Sequence, residues 1–497
     1  MTALLSLRGL MKMMSDPRRL HPLAMLFMFI KLLRSAIIPL AGAAVAASNN
    51  FGELAGLGKW IWAVLGLLFV LLFVLPSFFS WYRFTYRIEN GELKIEQGAL
   101  VKKHRYIRKE RIQSFDRSAG VLHRPFGLVK VKIETAGGGP RQGAEGELAA
   151  ITIEEAQRLE AELYGMEEMI EEGEKEVVET VQRKLTPPRL LIAGATSGKI
   201  GAVLSIIAAV FSQIDNFIPN HFYSDIGRRL LASGFQFLAG LALLIAICAW
   251  VLAILGTVIK YAGFTLTRTE DELQIVSGLL ERRQLTLPVH RIQAVRIVEG
   301  LLRQPFGFVT LYVESAGGSG GKSEDFSTVL FPLLRKREVS AFLNEFVPGY
   351  PADSKLIPAP KRAVWQYLLR LVIPALIVVI PVAIWVPWGQ YAILLVLAAV
   401  ILGMMQHRDA GWALLEKFSV LRFRTLSRTT VIVPRRNVQA GEIQQSYFQM
   451  KRELATLQVS VISRSAGKSF RVAHLDVDAG EQLMDWYERR NEYGLSN

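Results

Sequence analysis

Basic side chains set among apolar residues give this chain its clearest chemical potential. Lys31, Arg34, Lys199 and Arg370 lie in or beside long apolar runs, where a charge is costly unless it snorkels to the headgroups or marks a polar site for an anion or lipid headgroup. Denser clusters follow in two polar segments: Lys102, Lys103, His104, Arg105, Arg108, Lys109 and Arg111, then Arg282, Arg283, His290 and Arg291. Beside an anionic leaflet each such cation gains about 1 kcal/mol. Recognition of one headgroup and plain solvation are the competing readings. Strand alternation divides the cations between two faces, which weakens the specific one.

Familiar catalytic layouts are missing from the sequence. The stretch from Gly194 to Lys199 has the flavour of a phosphate loop, but Ala193 stands where the first glycine is needed and Ile200 follows the lysine. Gly317 to Gly321 lacks the Lys-Ser/Thr pair and reads as a loop. The 7 histidines are dispersed without metal-ligand spacing, and no Gly-x-Ser-x-Gly elbow is present. A single cysteine, Cys248, excludes an intrachain disulfide and a cysteine metal site. The expectation is a non-enzyme with no cofactor and no metal.

The elements that position these residues are membrane helices. Six runs are long enough to cross a hydrocarbon layer of about 30 Å: Leu23 to Ala47, Lys59 to Phe79, Leu190 to Phe211, Leu230 to Ile259, Val364 to Trp385 and Gln390 to Met405. They form three hairpins with short turns. Arg8, Lys12, Arg18 and Arg19 precede the first, and cation clusters follow each pair, so the N-terminus and the large polar segments are expected in the cytoplasm at the plasma membrane. No cleavable signal is expected. Trp81, Tyr82 and Phe84, then Tyr261 and Phe264, mark the interface beside cations. The net charge of +14 suits an anionic membrane, and no nucleic acid partner is expected.

The polar segments repeat. The segment from Phe84 aligns with that from Phe264 at an offset of 180 without a gap, with about 20 of some 55 positions identical. A fainter third copy begins at Arg424, in line with Gly278, and LQVSVISRSAG at its end is matched to FVTLYVESAG. Alternation in LKIEQGAL, LQIVSGLL and VKVKIET predicts strands. Amphipathic helices over Ile153 to Leu163, Leu334 to Phe346 and Ala479 to Glu488 close the copies. Such a unit suggests a small barrel or curled sheet plugged by its helix. In Arg111-Ile112-Gln113 and Arg291-Ile292-Gln293 the isoleucine is expected in the core on a strand, with its neighbours outside; in Pro125-Phe126-Gly127 and Pro305-Phe306-Gly307 the phenylalanine is expected to anchor a turn on the barrel. The acidic run Glu154 to Glu179 reads as a solvated linker.

A membrane hairpin followed by G-x-L, RIQ-x-V, G-x-L-x-x-PFG and SAGG resembles the second class of bacterial pleckstrin-homology-like domain, and three such units resemble the YdbT-like membrane proteins. The third copy departs, with Asn437 in place of Arg111 and Arg291 and no PFG. The resemblance implies integral membrane α-helical hairpins plus three α+β pleckstrin-homology-like barrels. It also implies partnership with a smaller single-domain relative and does not imply an enzyme; a homo-oligomer is the other assembly expected. The expected layout is hairpin 1 in 1–80, domain 1 in 81–165, an acidic linker in 166–189, hairpin 2 in 190–259, domain 2 in 260–348, a linker in 349–363, hairpin 3 in 364–406 and a divergent domain 3 in 407–490. The function expected is a non-enzymatic plasma-membrane scaffold whose cytoplasmic domains mediate protein assembly and contact anionic lipid, in envelope maintenance or protection; the alternatives are a lipid or small-anion carrier built on the four membrane cations, and a membrane enzyme whose groups converge only on folding.

Overall fold

The fold is described from a computed structural model, which describes residues 17–48, 64, 67–89, 92–98, 101–135, 146–164, 180–198, 200–214, 235–315, 327–385, 389–462 and 468–493. Among the described residues each copy holds seven strands. The first has β1 (Arg18–Arg19), β2 (Thr85–Glu89), β3 (Glu92–Gln97), β4 (Lys103–Arg108), β5 (Ile112–Ala119), β6 (Leu128–Thr135) and β7 (Gly146–Thr152). The second has β8 (Val181–Lys184), β9 (Thr265–Thr269), β10 (Glu272–Ser277), β11 (Arg282–Pro288), β12 (Ile292–Glu299), β13 (Phe308–Ser315) and β14 (Thr328–Arg335). The third has β15 (Ile357–Pro358), β16 (Gly411–Leu414), β17 (Phe418–Arg424), β18 (Arg428–Pro434), β19 (Val438–Gln444), β20 (Leu454–Val461) and β21 (Lys468–Asp476).

Helices are α1 (Leu23–Ser48), α2 (Leu75–Tyr82), α3 (Ile153–Tyr164), α4 (Pro187–Ala195), α5 (Ile200–Ile214), α6 (Phe235–Tyr261), α7 (Val339–Phe346), α8 (Val364–Trp385), α9 (Ile393–Asp409), α10 (Tyr447–Met450) and α11 (Val477–Tyr493). Among the described residues three helical stretches, rather than six, are long and apolar enough to cross a membrane: Gly240–Tyr261, Lys361–Trp385 and Gly389–Asp409. The second expected span is described only in part. The third is broken into α4 and α5, because the chain leaves the helix at Thr196 and Gly198 adopts φ +64°, a left-handed conformation natural to glycine.

The chain forms two compact units, Met1–Val178 with Glu281–Leu287, and Glu179–Leu280 with Pro288–Asn497. In the first, β1-β2-β3-β4 make one sheet, and β7-β6-β5 make another. Leu93 and Ile95 of β3, Phe115 of β5 and Ile133 of β6 point between them, where Ala156, Leu159 and Leu163 of α3 complete the core. Burying a side chain such as Phe115 stabilises by about 3 kcal/mol. The expected barrel is an open sandwich. A 3-10 turn, Lys109–Arg111, separates β4 from β5, and the free side of β5 is taken by residues 282–286 of β11, antiparallel.

The second unit repeats this device. A seven-stranded sheet runs β14-β13-β12-β18-β17-β16-β15, so β18 of the third copy occupies the side of β12, and β19-β20-β21 form the last sheet. Phe264, Phe331, Phe342 and Phe346 pack in series with ring centroids 5.5, 5.3 and 4.7 Å apart under α7. That helix starts at Val339; Leu334, expected inside it, lies in β14. The two-to-four-residue strands β1, β8 and β15 precede their hairpins and pair with β2, β9 and β16 after them. Each hairpin is therefore an insertion in its own sandwich.

Candidate functional site

The loop after β5, β12 and β19 joins each sandwich to the first helix of its hairpin. In the first copy His123 stacks on Phe27 of α1 at 3.9 Å and lies 3.3 Å from the Ala149 carbonyl. Burial holds its imidazole below the usual histidine range. In the second copy Arg303, at the repeat-equivalent position, donates to the carbonyls of Ala193 at 2.9 Å and Pro332 at 3.0 Å and to the hydroxyls of Thr196 and Thr310. It ends α4 by capping the carbonyls that a helix C-terminus leaves open. In the third copy Gln449 donates to Thr456 at 2.8 Å and lies 3.0 Å from His474 Nδ1; His474 packs edge-on against Tyr367 of α8 at 4.9 Å. Burial, with the Arg370 charge nearby, lowers the His474 imidazole to about 4.

Thr456 is to Gln449 as Thr310 is to Arg303, at an offset of 146. Strand pairing keeps that offset: Ile292 opposes Ser315, and Val438 opposes Val461. The end of the third copy is thus matched four residues earlier than the SRSAG resemblance places it, because α10 and its capping box replace the PFG turn without changing loop length.

The tips of these loops are apolar and exposed. Phe126 is 59% exposed, Phe306 70% and Phe448 74%, beside Val121 and Leu122, Leu301 and Leu302, and Tyr447 and Met450. The PFG phenylalanine was expected to anchor on the barrel; instead it points away, since Pro125 and Pro305 with the left-handed Gly127 and Gly307 already shape the turn. Clustered apolar side chains beside the entry of a membrane helix suit the headgroup boundary.

The sequence-predicted cations fall into separate places. Lys31 leaves its helix to meet Glu147 at 3.0 Å, where Lys130 binds at 2.7 Å. Burial raises the proton affinity of Glu147, but the two ammonium groups outweigh it and hold the carboxyl at about 2. Arg34 and Arg370 are exposed on α1 and α8, and Lys199 lies outside the described residues. Lys103 and Arg105 lie on β4, an end strand of its sheet, and Lys102 just precedes it. Arg111 and Arg291 sit on 3-10 turns rather than on strands; Ile112 and Ile292 are buried as expected, whereas Gln113, expected to face out, is buried too because it falls at the irregularity between Ile112 and Ser114 in the pairing of β5 with β6. Arg282 is exposed, whereas Arg283 clasps the buried Asp116 with bonds of 2.9 and 2.8 Å. Next to it Thr286 donates to Glu160 at 2.7 Å, and burial pushes that carboxyl up against the opposing pull of Arg117.

In the second unit Arg428 binds Glu299 and Asp409, and Asn437 donates to the Ile292 carbonyl at 2.9 Å. These junction residues were not foreseen, because strand pairing between copies leaves no local signal. Among the described residues no group of three His, Cys, Asp or Glu is placed to hold a metal ion.

Residues 35–167, 204–346 and 368–491 each match the bacterial PH domain. The chain belongs to the bacterial PH domain family. It is 35% identical over 494 residues to the UPF0699 transmembrane protein YdbT of Bacillus subtilis (strain 168), an alignment covering 96% of this chain and 99% of that protein. The three matched stretches begin within the membrane segment of each copy and run through the sandwich after it, leaving β1, β8 and β15 outside. The chain is a membrane protein of repeated bacterial PH domains.

Proposed function

We propose that the chain is a non-enzymatic, multi-pass scaffold of the plasma membrane. Its N-terminus and bacterial PH domains lie in the cytoplasm, its loop tips enter the inner leaflet, and its sandwiches assemble by strand pairing with each other and with protein partners. The observation that carries this reading is the threefold recurrence of an exposed apolar tip joined to the first hairpin helix, through His123 on Phe27, through Arg303 on the Ala193 carbonyl and through Gln366 of α8, which donates to the Phe448 carbonyl at 2.8 Å. Lys31 held by Glu147 supports anchoring over a carrier path, since a cation committed to a carboxylate outside the helix is withdrawn from the hairpin interior.

The test places an environment-sensitive fluorophore on Phe306→Cys in a Cys248→Ser background, with the chain in lipid discs. Quenching by lipid-borne quenchers, with protection from aqueous iodide, is the expected result. A label quenched by iodide as fast as one on an exposed strand residue such as Arg282→Cys would refute leaflet insertion. Labelling from the cytoplasmic side only is expected for Arg282→Cys in cells.

A further inference from the structure

The two junctions between copies have the same register. Arg282 opposes Ala119 and Thr286 opposes Phe115 in one; Arg428 opposes Glu299 and Ile432 opposes Val295 in the other. With offsets of 180 and 146 these are equivalent residue for residue. Each junction sets a strand of the β4 type against one of the β5 type, and each uses a carboxylate on the latter, Asp116 or Glu299, to bind a cation on the former, Arg283 or Arg428. Two such strands end their sheets: β4 in the first copy and β19 in the third. We propose that β19 of one chain pairs with β4 of a second copy of this chain, extending the array head to tail. This rests on the scaffold reading and specifies its assembly.

The side chains at the two ends fit this pairing. Continuing the register sets Glu442 opposite Arg105 and diagonal to Lys103, the relation that Asp116 bears to Leu285 and Arg283. The β4 strand carries Lys103, His104, Arg105 and Arg108, while β19 carries Glu442 and no cation. Size is complementary too. Where Phe115 faces Thr286 and Val295 faces Ile432, Gly441 would face Tyr106, whose ring is 62% exposed. Backbone donors and acceptors along both strands gain partners, as in strand addition. An end-to-end contact of this kind is heterologous and generates rings or open strings.

The experiment uses two differently tagged full-length chains, both Cys248→Ser, in native membranes. One carries Gln445→Cys and the other Lys102→Cys, the equivalents of Glu299 and Arg428, which leaves Glu442, Lys103, Arg105 and Tyr106 in place. Mild oxidation is expected to link the two tags, and the off-register pair Gln445→Cys with Lys103→Cys to link at least about tenfold less. Glu442→Lys lowers the yield, and Lys103→Glu on the partner restores it. Glu299→Cys with Arg428→Cys in a single chain reports that the fold is intact. Internal closure without a cross-copy band, or equal yield in both registers, overturns the proposal. Linkage of Gln445→Cys to a smaller protein instead also overturns it while leaving the scaffold standing; failure of the scaffold reading is seen separately, in loop labels that stay in water.

Discussion

Arg303 shows how one side chain couples a membrane helix to a sandwich. It is buried, and four acceptors on α4, the turn after it, β13 and β14 depend on its guanidinium. Arg303→Met keeps the volume but leaves buried carbonyls without donors, at about 1 to 3 kcal/mol for each unsatisfied group. The expected loss is about 3 kcal/mol, read as a fall of several degrees in the unfolding midpoint by tryptophan fluorescence in detergent. Gln449→Ala should cost about 1 kcal/mol, having fewer bonds to lose. His474 adds a pH dependence. Its folded-state value of about 4 lies below the ordinary 6.5, so the unfolded chain takes up the proton first as acid is added. Stability is complete above about pH 6.5 and falls towards pH 4 by up to about 1.4 kcal/mol per pH unit from this group. His474→Gln should flatten that slope between pH 6.5 and 4.5, below which Glu147 starts to contribute. Denaturant unfolding at half-unit pH steps checks it.

At the scale of elements, β11 completes the sheet of the first unit along β5. Arg283→Glu places like charges against the buried Asp116 and should destabilise by about 3 to 5 kcal/mol. Amide exchange over residues 281–287 is expected to accelerate well before that of β2 and β3, and Asp116→Arg in the same chain should recover part of the protection. The sequence made the repeat, three of the six expected spans and most strands legible, because apolar runs near 20 residues and alternation over six to eight positions are strong local patterns. Arg18–Arg19 and Ile357–Pro358 were invisible as strands: two residues carry no period. The break after Ala195 was hidden because composition stays apolar on both sides, and only Gly198 and Arg303, distant in sequence, create it. The outward Phe126 and Phe306 show the limit of turn chemistry. Pro and Gly specify the bend, but whether the aromatic ring seeks the core or the lipid depends on where the loop meets the hairpin helix. The basic clusters were legible as charge, yet Arg283 serves a junction rather than a lipid, since its carboxylate partner comes from 167 residues away.

Within the second unit, the larger body of the molecule, pairing of β12 with β18 makes a nearest-neighbour interface in which the second sandwich is completed by the third. A chain cut between Lys355 and Leu356 keeps β15 with the third copy and leaves β12 in the longer half without β18. An exposed strand of this kind, with Val295 and Ile297 on it, promotes aggregation. The longer half expressed alone is therefore expected to aggregate, and co-expression of the shorter half to return it to a soluble detergent complex that purifies on either tag. Arg428 tells the cause of the reunion. If β12 and β18 join the halves, Arg428→Glu, which sets a negative charge against both Glu299 and Asp409, should abolish co-purification. If packing between membrane helices joined them, the same substitution would leave the complex intact, because the helices keep every apolar contact. Co-purified yield with and without Arg428→Glu thus separates an array built through its sheets from one built through its bilayer segments.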